Sequence, residues 1–223
     1  LQANYGCTAV LCTATQPVLD PYFPAGVVPR ELCPNRAELY RDFRRTVFED
    51  LGTLTDQELA LRLQEHRQAL CIVGPRKQAH ALYKMLPQEG TYHLSTLMTP
   101  EHRTAVLGEI RARLRAKAPC RVVSTSLMEA GVDLDFPVVY RAKAGLDSII
   151  QAAGRCSRES WGTRTPVYLF EPEGRYLRNL PASMRLPMET LKAMEGRFQD
   201  LAAPEAVEAY FTELYREKGE GLD

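Results

Sequence analysis

Short apolar runs rich in β-branched residues recur along the chain with helix-like stretches between most of them, and this alternation restricts the fold more than any other feature. The runs are TAVLCTA (8–14), ALCIV (69–73), TYHL (91–94), RVVSTS (121–126), PVVYR (137–141) and PVYLF (166–170), each with the length and composition of a buried strand. Between them stand TDQELALRLQEH from Thr55, RKQAHALYKML from Arg76, PEHRTAVLGEIRARLRAK from Pro100 and LDSIIQAAGR from Leu146. Helix starts are signalled independently: Thr99-Pro100-Glu101 offers a hydroxyl cap with proline next, and Thr55 to Glu58 resembles a capping box. Strands joined through helices lie parallel, so the sequence predicts an α/β fold: three layers, a mainly parallel sheet with helices on both faces, plus C-terminal helices. Such sheets bind ligands beyond the carboxyl ends of their strands.

With 223 residues, 45% of them hydrophobic, the chain can bury a full core. Lysine plus arginine equals aspartate plus glutamate, 28 each, so overall charge implies no polyelectrolyte partner and any nucleic-acid surface must be local. The six cysteines form no C-x-x-C pair and sit mostly in apolar runs, which predicts small, reduced core residues and a cytoplasmic setting. No apolar stretch is long enough to span a membrane, and the first residues lack the order of a signal peptide.

Two composition shifts mark boundaries. Residues 16–35 hold five prolines and little periodicity, reading as a connector. After Pro172, EGRYLRNLPASMRLP is loop-like, and PEAVEAYFTELYREK then sets Val207, Tyr210, Phe211, Leu214 and Tyr215 on one helical face that needs a partner surface, inside or outside this chain.

Three stretches carry candidate chemistry. VLCTATQP ends an apolar run in hydroxyl residues and proline, which by itself is also an ordinary strand end. RVVSTSLMEAGVDLDFPVVYR places Gly131, Asp133 and Asp135 between two strands: glycine permits close backbone approach, and an aspartate beside it can accept from ribose hydroxyls, bind a metal, or form a turn. IIQAAGRCSRES sets Arg155 and Arg158 three residues apart, a spacing suited to gripping phosphate but also common on solvated helices.

In their order the stretches resemble the late motifs of superfamily 2 helicases. CTATQP, YHLSTLMTPEHR, STSLMEAGVDLDFP and IIQAAGRCSRE together are similar to the helicase part of the CRISPR type I effector helicase-nuclease, in its C-terminal, second RecA-like region. By that resemblance Thr13, Ala14 and Thr15 couple hydrolysis to strand movement, and Gly131 and Asp133 approach the nucleotide phosphates and ribose. Gln151, Arg155 and Arg158 form the final motif, whose arginines act as fingers on the γ-phosphate. Many relatives carry arginine after the glutamine, where this chain has Ala152. Gly74, Arg76, Ser95, Thr96 and Thr125, at strand ends, would hold phosphates of a single strand without reading sequence. The basic residues Arg103, Arg111, Arg113, Arg115, Lys117 and Arg121 suit either a solvated helix end or a DNA contact. His93 reads as a strand residue, and no metal ligand set is expected.

A motor of this type also needs a G-x-x-x-x-G-K-S/T loop and an acidic Mg²⁺-binding motif, and the sequence contains no Gly-Lys dipeptide. The resemblance therefore implies half of a machine: residues 1–17 as the final strand of a first RecA-like domain, 18–35 a connector, 36–172 the second RecA-like domain, and 173–223 a C-terminal linker and amphipathic helix. ATP and Mg²⁺ would be bound jointly with the first domain, and the partners would be single-stranded DNA, a nuclease domain and the CRISPR surveillance complex. The alternatives are a non-catalytic RecA-like module that binds nucleic acid or protein, and a superfamily 2 helicase domain acting on RNA or branched DNA.

Overall fold

The computed structural model describes residues 5–13, 15–23, 26–126, 132–157, 164–178 and 180–219. In chain order the elements are α1 (Arg36–Phe43), β1 (Thr46–Leu54), α2 (Asp56–Glu65), β2 (Gln68–Ile72), α3 (Arg76–Met85), β3 (Thr91–Leu94), α4 (Pro100–Arg115), β4 (Cys120–Ser124), β5 (Val139–Ala142), α5 (Leu146–Ala153), β6 (Thr165–Pro172), α6 (Gly174–Leu177), α7 (Ala182–Ala193) and α8 (Pro204–Lys218). The strands form one sheet in the order β1-β6-β5-β2-β4-β3, and every pairing is parallel.

The side-chain alternation of a strand divides the core into two layers. Leu70 and Ile72 of β2, Cys120 and Val122 of β4, Val139 of β5, and Val167 and Leu169 of β6 face one way, where they meet α4, α5, α7 and α8. Ala69 and Cys71, with Val123, Tyr140, Ala142 and Phe170, face the other and meet Leu59, Ala60 and Leu63 of α2 and Ala79 and Leu82 of α3. The sheet is thus covered on both faces, as its near-continuous apolar strands require. The helix starts read from the sequence form as written: Thr55 and Glu58 make a reciprocal capping box, and the Thr99 hydroxyl accepts from the His102 N–H at 3.3 Å.

Residues 8–13 belong to no strand, with Val10 and Leu11 exposed, and no described strand flanks them; the expectation for this run is a strand in a first domain's sheet. Three other expectations are corrected. The EGRYLRNLPASMRLP stretch is helical in α6 and α7, with Pro187 inside α7. Only Cys71, Cys120 and Cys156 are core residues, while Cys7, Cys12 and Cys33 are exposed on the N-terminal segment. Finally, β1 adds an edge strand that the sequence reading passed over; its register shifts between Asp50 and Thr53, where Gly52 adopts a φ of 68°.

The apolar face of α8 finds its partner within the chain. Ala206, Val207, Tyr210, Phe211 and Leu214 are buried against the same layer as α5. The connector follows: Val18 packs on this layer and the Tyr22 ring meets Tyr215 edge-on at 5.8 Å. The fit at the start of α5 is close, since a β-carbon on Gly145 would come within 2.7 Å of the Tyr210 hydroxyl and 2.9 Å of Pro187 Cβ. Gly145→Ala is expected to cost about 1–3 kcal/mol through overpacking. Urea denaturation checks this, and adding Tyr210→Phe, which removes one of the colliding atoms, should recover part of the loss.

Candidate functional site

The sheet places β2 at its centre with β4 on one side and β5 on the other, so the chain leaving β4 must cross β2 to begin β5. That crossing contains the GVD stretch. Val132, Leu134 and Phe136 are buried in the α5-side layer while Asp133 is exposed and Asp135 half-buried, an alternation that seats the loop and leaves Asp133 at the surface.

The end of α5 is stitched to this crossing. Leu146, Ile149, Ala152 and Ala153 bury one face of the helix, which stops at Gly154. The Phe136 N–H then donates to the Arg155 carbonyl at 2.9 Å and the Ser157 N–H to the Phe136 carbonyl at 3.0 Å, making a short parallel bridge between Phe136 and Cys156. Arg155 itself is half-buried, and its Nη1 donates to the Val132 carbonyl at 2.5 Å. The Val132–Phe136 loop and the Arg155–Ser157 turn, separate in sequence, are thus joined. Ser157 adopts a left-handed backbone, φ 49°, just before Arg158, a strained conformation for a residue with a β-carbon. Burial pushes the Cys156 thiol up to about 12, so it stays protonated and acts as a core residue. Gln151 is half-buried on α5; Gly131 and Arg158 lie outside the described residues.

A second group gathers at the carboxyl ends of β2, β4 and β3. Ile72 and Leu94 both pair in register with Ser124, so Gly74, Ser95, Thr96 and Thr125 follow three adjacent strands at one edge. The Thr125 N–H donates to the Leu94 carbonyl at 3.3 Å, whereas its buried hydroxyl has no partner. Such a group is costly unless something supplies a bond. Arg76 and Lys77, both exposed, open α3 at the positive end of its dipole, and Pro75 offers no side-chain cap. Gly74 is not fully open: a β-carbon there would lie 3.2 Å from Met184 Cε of α7.

The remaining candidates separate from these. Thr13 and Thr15 make a local turn of their own, in which the Thr13 hydroxyl donates to the Thr15 carbonyl at 3.1 Å and accepts from its N–H at 3.4 Å; Ala14 lies outside the described residues. Two of the basic residues around α4 work at the amino ends of the strands: Arg113 Nη1 donates to the Pro119 carbonyl at 3.3 Å, and Arg121 Nε to the Leu63 carbonyl at 2.9 Å. Those two serve as backbone clamps. His93 is a half-buried strand residue whose burial, with His80 nearby, lowers its pKa. Sequence reading missed a buried polar cluster around Asp56, because its members are scattered over three elements.

A parallel sheet covered on both faces, with a strand-crossing loop clasped by the arginine turn at its carboxyl-end helix, defines the RecA-like class of α/β domain. Comparison with known proteins narrows the class. Residues 65–160 match the family model described as CRISPR-associated nuclease/helicase Cas3, C-terminal. The Cas3 of Haloferax volcanii is 52% identical over 48 residues, 21% of this chain and 5% of that protein. The Cas3 of Methanothermobacter thermautotrophicus is 26% identical over 113 residues, 50% of this chain and 13% of that one. The fold superposes on the crystal structure of T. fusca Cas3-ATP with a TM-score of 0.59 at 18% identity, covering 92% of this chain and 26% of the other. The chain is therefore similar to the C-terminal helicase part of Cas3, and it spans only a minor part of the length of these relatives. Among the described residues no helix is long and apolar enough to cross a membrane.

Proposed function

We propose that the chain is the second motor domain of an ATP-dependent single-stranded DNA translocase acting in CRISPR interference. The observation that carries this reading is the clasp between Arg155 and the Val132–Phe136 loop, which brings together two stretches that the resemblance assigns to the nucleotide. In this reading Arg155 and Arg158, with Gln151, face the γ-phosphate, while Gly131 and the exposed Asp133 approach the phosphates and ribose. Guanidinium groups there would stabilise the charge that grows on the transferred phosphoryl group. Gly74, Arg76, Ser95, Thr96 and Thr125 would hold the phosphates of a single strand, and the unpartnered Thr125 hydroxyl supports a ligand at that edge.

ATP and Mg²⁺ would lie in a cleft shared with a first RecA-like domain that carries the phosphate loop; this chain's residues would orient the nucleotide from the opposite wall. Residues 1–17 would pair with that domain's sheet, 18–35 would connect, 36–172 would form the second RecA-like domain, and 173–223 would lead onward. Thr13 to Thr15 would relay closure of the cleft. A nuclease domain and the surveillance complex would complete the assembly.

Two measurements test the reading. The 223-residue chain alone is expected to hydrolyse ATP no faster than background, and hydrolysis that one substitution abolishes would overturn the assignment as half of a cleft. In the complete protein, single-stranded DNA should stimulate hydrolysis more than RNA of equal length; the reverse order points to an RNA helicase.

A further inference from the structure

Asp56 is 1% exposed, yet it belongs to none of the stretches that carry the nucleotide or strand readings. As the first residue of α2 it sits where a helix favours negative charge. Its Oδ2 accepts from Arg175 Nη2 at 2.7 Å and from the Tyr176 hydroxyl at 2.5 Å, and its Oδ1 accepts from Gln78 Nε2 at 3.2 Å. Its backbone N–H donates to Glu173 Oε2 at 3.3 Å. These partners come from two places. Gln78 is in the first turn of α3, two residues beyond Arg76, whereas Glu173, Arg175 and Tyr176 belong to the segment that leaves β6.

Each part of the cluster is fixed from more than one side. The Arg175 guanidinium also bonds Glu173 at 2.9 Å and stacks over the Tyr176 ring at 4.9 Å. Gln78 is wholly buried and its Oε1 has no partner. A leucine there would remove the unmatched Oε1 but also the donor to Asp56 Oδ1, so the contribution specific to glutamine is that directional bond. Meanwhile Met184 of α7, further along the same C-terminal segment, lies over Gly74. The GPRK loop is therefore flanked by the chain that follows β6: Met184 lies near Gly74, and Gln78, just after the loop, is joined to Arg175 and Tyr176 through Asp56.

We propose that Asp56 is a positioning residue for the nucleic-acid edge, holding the first turn of α3, and with it Arg76, in register with the segment after β6. The proposal rests on the reading of Arg76 as a strand contact. Asp56 acts through Gln78 and touches no ligand itself. Its attachment to Arg175 and Tyr176 makes the pose of Arg76 depend on how the C-terminal segment is seated.

The test measures binding of a fluorescent oligothymidylate to the complete protein by anisotropy, alongside thermal melting. Gln78→Leu and Tyr176→Phe nearly preserve volume and keep the Asp56–Arg175 ion pair, each removing one neutral donor from the Asp56 carboxylate. Each is expected to lower the melting temperature, since it takes one donor from a buried carboxylate, and to weaken binding about fivefold at temperatures where the variant is fully folded. Because Gln78 works through Arg76, the Arg76→Ala/Gln78→Leu double variant should bind no worse than Arg76→Ala alone. Wild-type affinity in Gln78→Leu, or losses that add fully in the double variant, overturns the positioning role. Wild-type affinity in Arg76→Ala overturns the strand-contact reading itself, and the proposal with it.

Discussion

Arg155→Ala in the complete protein is expected to lower DNA-stimulated ATP hydrolysis about a thousandfold, equivalent to about 4 kcal/mol of transition-state stabilisation. Arg158→Ala should give a loss of the same order. The two should differ in stability. Arg155 Nη1 occupies the Val132 carbonyl, so truncating it also frees the strand-crossing loop and leaves an acceptor wanting a partner, a cost of about 1–3 kcal/mol. Arg155→Lys separates the roles: it keeps the charge but loses the forked donor geometry that can serve loop and phosphate together. Steady-state hydrolysis measured beside thermal melting decides the matter. If Arg155→Ala melts earlier but turns over normally, Arg155 is only the clasp of the Val132–Phe136 loop; if both alanine variants turn over normally, the finger assignment is lost.

The clasp shows what the sequence could and could not convey. β2 to β6 and α2 to α5 were legible through their apolar periods, reinforced at two helix starts by the Thr55 and Thr99 caps. β1 escaped because an edge strand is only half covered, so Glu49, Asp50 and Gly52 interrupt its apolar pattern without penalty. α7 escaped because Pro181 and Pro187 read as breakers; packing of Leu191 against the core outweighs the missing hydrogen bond. The motif residues were visible as types and spacings, but not the distance between Arg155 and Val132. The Asp56 cluster was not visible at all, since Asp56, Gln78 and Arg175 become neighbours only through the packing of α2, α3 and α6. Local chemistry is written in short windows, and long-range pairing is not.

Tyr210→Ala is expected to cost about 3–5 kcal/mol, by analogy with truncation of other large buried aromatics. That is a large share of the about 5–15 kcal/mol that holds a typical domain folded. Tyr210 is wholly buried, its ring lies 5.3 Å from Phe211, and its hydroxyl reaches the Pro187 carbonyl at 3.5 Å. It shares one apolar layer with Leu146 and Ile149 of α5 and Val139 of β5. Chemical denaturation should therefore show a single transition displaced as a whole. Two separate transitions, with only the earlier one moved, would make α7 and α8 an independent appendage. A functional loss should accompany the destabilisation even under conditions where the variant remains folded. Tyr210 bounds the space at Gly145, where α5 begins, and α5 is only eight residues, about 12 Å, long before it reaches the turn that carries Arg155. A cavity at one end of so short a helix leaves the other end free to shift. The catalytic constant should then fall further than the folded fraction does, whereas a fall matching the folded fraction would show that α5 holds the arginine turn without help from the C-terminal helices.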